Sequence, residues 1–100
     1  MYQFNFTKKF RKTARKNFDD NKLLEKALVK SLSFMQEDPF HIGLKTHKVD
    51  TILNKDVYSS RITGDWRIIW QFDEELKVAT ILCLELGTHS GANQVYQNKS

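Results

Sequence analysis

The chain contains a single cysteine, Cys83, so no intrachain disulfide can form, and a reducing compartment is the expected setting. Cys83 lies in an apolar run, where a buried and inert thiol is expected. No stretch approaches the ~18 apolar residues that a membrane span requires. The opening residues MYQFNFTKKF place charge after apolar side chains and hold no hydrophobic stretch of signal-peptide length. The expectation is a cytoplasmic protein with no membrane partner. Gly-rich phosphate loops, zinc-spaced Cys/His sets and the G-x-S-x-G elbow are all missing. His41 and His47 are separated by loop residues, and no histidine pair is spaced i, i+4 on a helix, so neither a metal site nor a cofactor is expected. These absences narrow any enzymatic reading to acid–base work by His, Asp, Glu, Lys or Arg.

What is present fits one small globular domain spanning residues 1–100. Hydrophobic residues make up 40% and aromatics 12%, so a core is within reach. Phe4, Phe6, Phe10, Phe18, Phe34, Trp66, Trp70 and Phe72 supply its large surfaces. The net charge is +4 and the pI about 9.3, a balance that suits a polyanion or an acidic partner without identifying a fold. Lys8, Lys9, Arg11, Lys12, Arg15 and Lys16 crowd one segment. That cluster reads equally as a solvated helix face or as the electrostatic footprint of nucleic-acid binding.

Tyr2, Phe4 and Phe6 alternate with polar residues, the period-two pattern of a half-buried strand. Thr7 can cap a helix carrying Phe10, Ala14 and Phe18 on one face. Asp19 and Asp20 supply a second cap signal, followed by an apolar stripe of Leu24, Leu28, Leu32 and Met35 that Asp38-Pro39 ends. Residues 40–56 lack periodicity and read as a loop or weakly paired segment. Three short strands follow, separated by turn signals at Thr63-Gly64-Asp65 and Asp73-Glu74-Glu75. In the second, Trp66, Ile68, Trp70 and Phe72 share one face, and Arg67, Ile69 and Gln71 the other. In the third, Val78, Thr80, Leu82, Leu84 and Leu86 alternate with Ala79, Ile81, Cys83 and Glu85. Both faces are apolar, so this strand belongs inside the sheet. Residues 92–96 suit a short helix and residues 98–100 a frayed end. The order is β-α-α-β-β-β, an α+β fold with two N-terminal helices packed on an antiparallel sheet and a short C-terminal helix.

The chemistry-bearing residues gather at strand ends. Arg67 projects away from the helices, and Arg61 shares that face if the register permits. His89 follows Gly87 just past the last strand. Guanidinium groups match phosphate oxygens bidentately, and imidazole exchanges a proton near neutral pH, so the set suits a phosphodiester. Plainer readings stand beside this one. Taken singly, His89 reads as a loop residue, Arg67 as a cross-strand partner of Glu85, Asp65 as turn chemistry and Trp66 as core.

The segment VYSSRITGDWRIIWQF (residues 57–72), the later LGTHS (residues 86–90) and the early FTKKFRK resemble the RelE/ParE toxin superfamily, nearest its RelE/StbE branch, over essentially the whole chain. The resemblance implies the toxin of a type II toxin–antitoxin system. Such a toxin is a metal-independent endoribonuclease that cuts messenger RNA on the ribosome by attack of the substrate 2′-hydroxyl, leaving a 2′,3′-cyclic phosphate. It implies that Arg67 steadies the phosphate, that His89 is the general acid or its acid–base partner, and that His47 is a candidate base or substrate contact. Asp65 and Trp66 match a DW pair that supports the site, and Arg61 falls where relatives carry histidine or arginine. Two departures stand out. Lys48 replaces the usual proline after the histidine, which leaves it a candidate substrate contact. Position 93 is asparagine, so Tyr96 is the candidate stacking aromatic. The implied partners are a cognate antitoxin, messenger RNA and the ribosome, with operator DNA reached through the antitoxin complex. Alternatives from the same fold are a gyrase-binding toxin without ribonuclease activity and a catalytically weak protein-binding member.

Overall fold

The computed structural model describes residues 1–76 and 78–96. The elements run β1 (Gln3–Phe6), α1 (Lys8–Asn17), α2 (Lys22–Glu37), a 3-10 turn (Ile42–Leu44), β2 (His47–Val49), β3 (Val57–Arg61), β4 (Trp66–Phe72) and β5 (Thr80–Thr88). The five strands form one sheet in the order β1-β5-β4-β3-β2. Neighbours joined by turns pair antiparallel, whereas β1 pairs parallel with β5. The sheet is therefore mixed rather than purely antiparallel. The β1–β5 neighbours are not consecutive in the chain, and parallel pairing requires such a crossover.

Local chemistry accounts for the helices. Thr7 caps α1 by accepting from the Phe10 N–H at 3.1 Å, and its own hydroxyl donates to the Leu84 carbonyl at 2.6 Å. One residue thus starts the helix and fastens it to β5. The cap of α2 is Asn21, whose Oδ1 accepts from the Leu24 N–H at 3.1 Å, and Asp19-Asp20 lie in the preceding turn. Asp38 closes α2 with extended backbone, as a residue before proline prefers. Among the described residues no helix is long and apolar enough to cross a membrane.

The main core fills the space between the helices and one sheet face, from Phe10, Phe18, Leu28 and Met35 to Trp66, Ile68, Trp70, Ile81, Cys83 and Leu86. β5 lies between β1 and β4, in keeping with its two apolar faces. Its alternation breaks at one point. Ile69 pairs with Glu85 and Trp70 with Cys83, which leaves Leu84 as the extra residue of a bulge. Leu86 therefore joins Ile81 and Cys83 against the helices, while Glu85 and Gly87 turn to the outer face.

That outer face is partly covered. Val57, Ile69 and Val95 form a second small cluster, with Val49, Leu84 and Tyr96 packed against it. Residues 92–96 carry no helix. Their backbone is used otherwise: the Thr88 N–H donates to Asn93, the Val95 N–H to Thr88 and the Ile52 N–H to Val95, at 2.9, 3.1 and 2.8 Å. Thr88 and Gln94 form a parallel bridge, so the segment crosses over the end of β5. The crossing is close. A Cβ at Gly87 would lie 2.0 Å from Val95 Cγ1. Residues 98–100, expected to fray, lie outside the described residues.

Candidate active site

Strand register sets two rows of side chains on the outer face. His47, Ser59, Ile69 and Glu85 are successive cross-strand partners, and Arg61, Arg67 and Gly87 form the next row toward the β3–β4 turn. Cross-strand partners hold their Cβ atoms about 4.5–5.5 Å apart, so His47 stands beside Ser59. The Ser59 hydroxyl lies 2.5 Å from the Tyr96 hydroxyl. The Tyr96 ring in turn stacks on His89, with centroids 4.7 Å apart and planes inclined by 21°. His47, Ser59, Tyr96 and His89 therefore form a continuous line across the face, although they come from three separate stretches of chain. His47 and His89 are both exposed, and Ser59 is fully buried beneath Tyr96.

His47 Nδ1 is 2.9 Å from the Lys45 carbonyl. A carbonyl only accepts, so the proton sits on Nδ1, and the neutral ring presents the Nε2 lone pair outward. This is the arrangement of a base held in one tautomer. His89 is placed by its ring contact with Tyr96 and by the covered end of β5 beneath it.

The two arginines differ. Arg67 Nη1 donates to the carbonyls of Thr63 and Trp66 at 2.7 and 3.0 Å, and Nη2 to that of Gly64 at 3.3 Å. Its guanidinium clamps the β3–β4 turn. The guanidinium of Arg61, directly opposite, has no hydrogen-bond partner among the described residues, and its Nη2 lies 3.8 Å from where a Cβ on Gly64 would be. Like charges directly opposite on a sheet destabilise it. The pair is tolerated because Arg67 turns to the carbonyls, which leaves Arg61 as the open cation of the row.

The remaining predicted residues fall elsewhere. Asp65 is exposed in the turn, its N–H donating to Thr63 Oγ1 at 3.2 Å. Its place is one residue beyond the Trp66–Thr88 pair, at the end of the sheet from which His89 also departs. Trp66 is core, its ring edge-on to Phe18 at 4.8 Å. Lys48 follows His47 in a strand and so points to the opposite face. There it is 3.1 Å from Asp56 and 5.6 Å above the Tyr58 ring. The hydrogen bond and charge of Asp56 raise its pKa above the usual lysine value. Glu85 does not pair with Arg67. Its Oε2 accepts from Asn54 Nδ2 at 2.7 Å and Thr51 Oγ1 at 3.2 Å, and the side chain is almost wholly buried. Ser59, Glu85 and the cover supplied by Val95 were missed from sequence. The single available signal was Gly87, whose place in the strand marks a close backbone approach. Among the described residues no three His, Cys, Asp or Glu side chains gather to hold a metal ion.

No family model and no curated protein sequence matches the chain. Solved structures do. The YoeB/ParE toxin from Agrobacterium tumefaciens superposes with a TM-score of 0.71 at 11% identity, covering 88% of this chain and 99% of that one. The archaeal RelE-RelB complex from Pyrococcus horikoshii OT3 gives 0.67 at 18% identity, covering 91% and 98%. The E. coli DinJ-YafQ toxin-antitoxin complex gives 0.59 at 16% identity, covering 88% and 92%. Two helices on one face of a five-stranded sheet, matched over nearly the full length of these chains, give this protein the fold of the RelE/ParE toxin superfamily.

Proposed function

We propose that the protein is the toxin of a toxin–antitoxin pair and that it cleaves messenger RNA on the ribosome by metal-independent transesterification. The observation that carries this reading is the line of His47, Ser59, Tyr96 and His89 beside the Arg61–Arg67 row on one sheet face. His47 Nε2 takes the proton of the substrate 2′-hydroxyl. The 2′-oxygen forms a bond to phosphorus as the bond from phosphorus to the 5′-oxygen breaks, and His89 gives a proton to that leaving oxygen. The products are a 2′,3′-cyclic phosphate and a 5′-hydroxyl. Arg61 meets the non-bridging oxygens, where a fixed cation stabilises the charge that develops, and Arg67 holds the turn that carries it. Tyr96 orients His89 and offers a ring edge to a base. Acid and base groups contribute typically 10²–10⁴-fold each.

The antitoxin partner fits a second surface. Phe6, Phe10, Ala14 and Leu32 floor a groove of about 470 Å³ rimmed by Arg11 and Arg15. An apolar floor with cationic edges suits an amphipathic segment bearing acidic residues.

The decisive experiment programmes ribosomes with a defined transcript and maps the cut ends. Wild-type protein should leave a 2′,3′-cyclic phosphate, a 2′-deoxy substitution at the cut site should abolish cleavage, and His89→Ala should slow it at least 100-fold. Arrest of growth by DNA damage with intact transcripts would refute the reading.

A further inference from the structure

A second cleft lies on the helix side of the sheet, between α2, the 3-10 turn and the end of β3, with a volume of about 450 Å³. Its lining includes Lys30, Phe34, His41 and Arg61 and contains no carboxylate. The Phe34 and His41 rings are nearly parallel, with centroids 4.4 Å apart and planes inclined by 6°. Lys30 Nζ stands 5.9 Å from the Phe34 centroid. His41 Nδ1 accepts from the Gly43 N–H at 3.0 Å, so the ring proton of neutral His41 is on Nε2. The Ser31 hydroxyl donates to the Arg61 carbonyl at 3.1 Å and ties this part of α2 to β3. The cleft thus offers an ammonium and an imidazole N–H, neither of which has an acceptor among the described residues, and Arg61 borders it at the β3 end. The imidazole is one ring of the stacked pair, and the ammonium stands over the other.

We infer that this cleft is a binding subsite for a nucleotide of single-stranded RNA, lying outside the row of residues that act on the scissile bond. Two donors without a carboxylate select an anion, and the ring pair to which one of them belongs selects an anion attached to a base. RNA is favoured over other anions by continuity with the outer face. Arg61 belongs to the Arg61–Arg67 row and also lines this cleft. β2 pairs only with Val57–Ser59, so among the described residues no strand flanks β3 at Arg61 on the side away from β4, and a substrate can pass round that edge. The inference rests on the proposed ribonuclease reading, and it adds where the RNA runs after leaving the catalytic row.

The test uses a fluorescent 2′-O-methyl RNA octanucleotide, which binds without being cut, titrated by anisotropy at several salt concentrations. The proteins are wild type, the Lys30→Gln/His41→Gln double variant, and Lys22→Gln as an exposed control at the start of α2. Lys22 and Lys30 are exposed and His41 is half-buried, and circular dichroism checks the fold. The double variant should bind at least 10-fold more weakly, and its slope of log affinity against log salt should fall by about 0.7, the share of one cation on a single strand. The control should stay within about two-fold. In wild type, RNA should shift the His41 ring NMR signals. The inference is overturned if the double variant matches the control, or if the His41 signals stay fixed with RNA. It is also overturned if they respond equally to inorganic phosphate, a phosphopeptide or anionic vesicles. Cleavage of a transcript on ribosomes is measured separately. Wild type that binds through the cleft yet never cuts removes the ribonuclease reading and keeps the subsite. Cutting with unchanged affinity in the double variant removes the subsite alone.

Discussion

Replacing Gly87 with alanine should detach the C-terminal crossing from the sheet and misplace His89 without touching either of them chemically. The backbone at Gly87 is not in the left-handed region, so the demand for glycine comes from space alone. An added Cβ would lie 2.0 Å from Val95 Cγ1 and 2.9 Å from both Val95 Cγ2 and the Asn93 carbonyl. Ordinary carbon contacts are ~3.5–4.0 Å, so the segment must lift by more than an ångström. Lifting it breaks the three backbone hydrogen bonds among Thr88, Asn93, Val95 and Ile52, at about 1 kcal/mol each. It also exposes Val95, whose burial is worth roughly 1.5–3 kcal/mol. The ceiling is therefore about 6 kcal/mol, and because the main core is untouched a loss of about 2–4 kcal/mol is expected. Urea unfolding measures it, and the His89 and Tyr96 ring signals report the local change. Val95→Ala removes both offending methyl groups. Gly87→Ala combined with Val95→Ala should therefore lose less than the sum of the single losses, by at least ~1 kcal/mol. A Gly87→Ala protein within about 0.5 kcal/mol of wild type with unmoved ring signals, or strictly additive single effects, would refute this account of the glycine.

Burial pushes the Cys83 thiol up to about 12. Below the thiol pKa of the unfolded chain, both states are protonated. As the pH rises above it, the unfolded state gives up its proton while the native state keeps it, and stability is lost. With an unfolded value of 9.0, the stability of wild type relative to Cys83→Val should fall by about 1.4 kcal/mol between pH 8 and pH 10. A constant difference in urea unfolding across that range would contradict it. Glu85→Ala should cost about 2–4 kcal/mol, since it leaves Asn54 Nδ2 without its acceptor and Thr51 Oγ1 with the Asn54 carbonyl alone, and a bond to a carboxylate is worth roughly 1.5–3 kcal/mol. Glu85→Gln, whose amide oxygen can still accept, should recover most of that loss in the same assay.

Much of the fold was legible because short-range rules acted alone. Thr7 starts α1 and Pro39 stops α2, and the alternation of β4 correctly separates Trp66, Ile68 and Trp70 from Arg67 and Ile69. Three features were hidden. β2 has three residues, too few to show a period, and β1 shows no sign of its parallel pairing. The bulge at Leu84 carries no glycine or proline to betray it, so simple alternation placed Leu86 on the wrong face. The site was legible as residue types rather than as geometry. His89, Arg61, Arg67 and Tyr96 do share the outer face. Trp66 and Lys48 were grouped with them through the family resemblance, as part of the DW pair and as the residue after His47, yet neighbours in a strand point to opposite faces. Residues 92–96 were read as a helix because nothing local announces that Gly87 is the floor of a crossing.

The bulge also decides how charge is laid out on the outer face. It turns Glu85 outward, into the row of His47 and Ser59, where an exposed carboxylate would repel a phosphate. Thr51 and Asn54 bind it from one side, and Val95 crosses the strand end beside it, so the carboxylate is withdrawn from the surface. The same half-turn of the strand brings Gly87 opposite Arg67 and carries His89 out beside Tyr96. Negative charge is therefore buried midway along β5, while Arg61 and the two histidines stay open. The open cation of the row stands next to the β3–β4 turn, at the end where Arg61 also lines the cleft of Lys30 and His41.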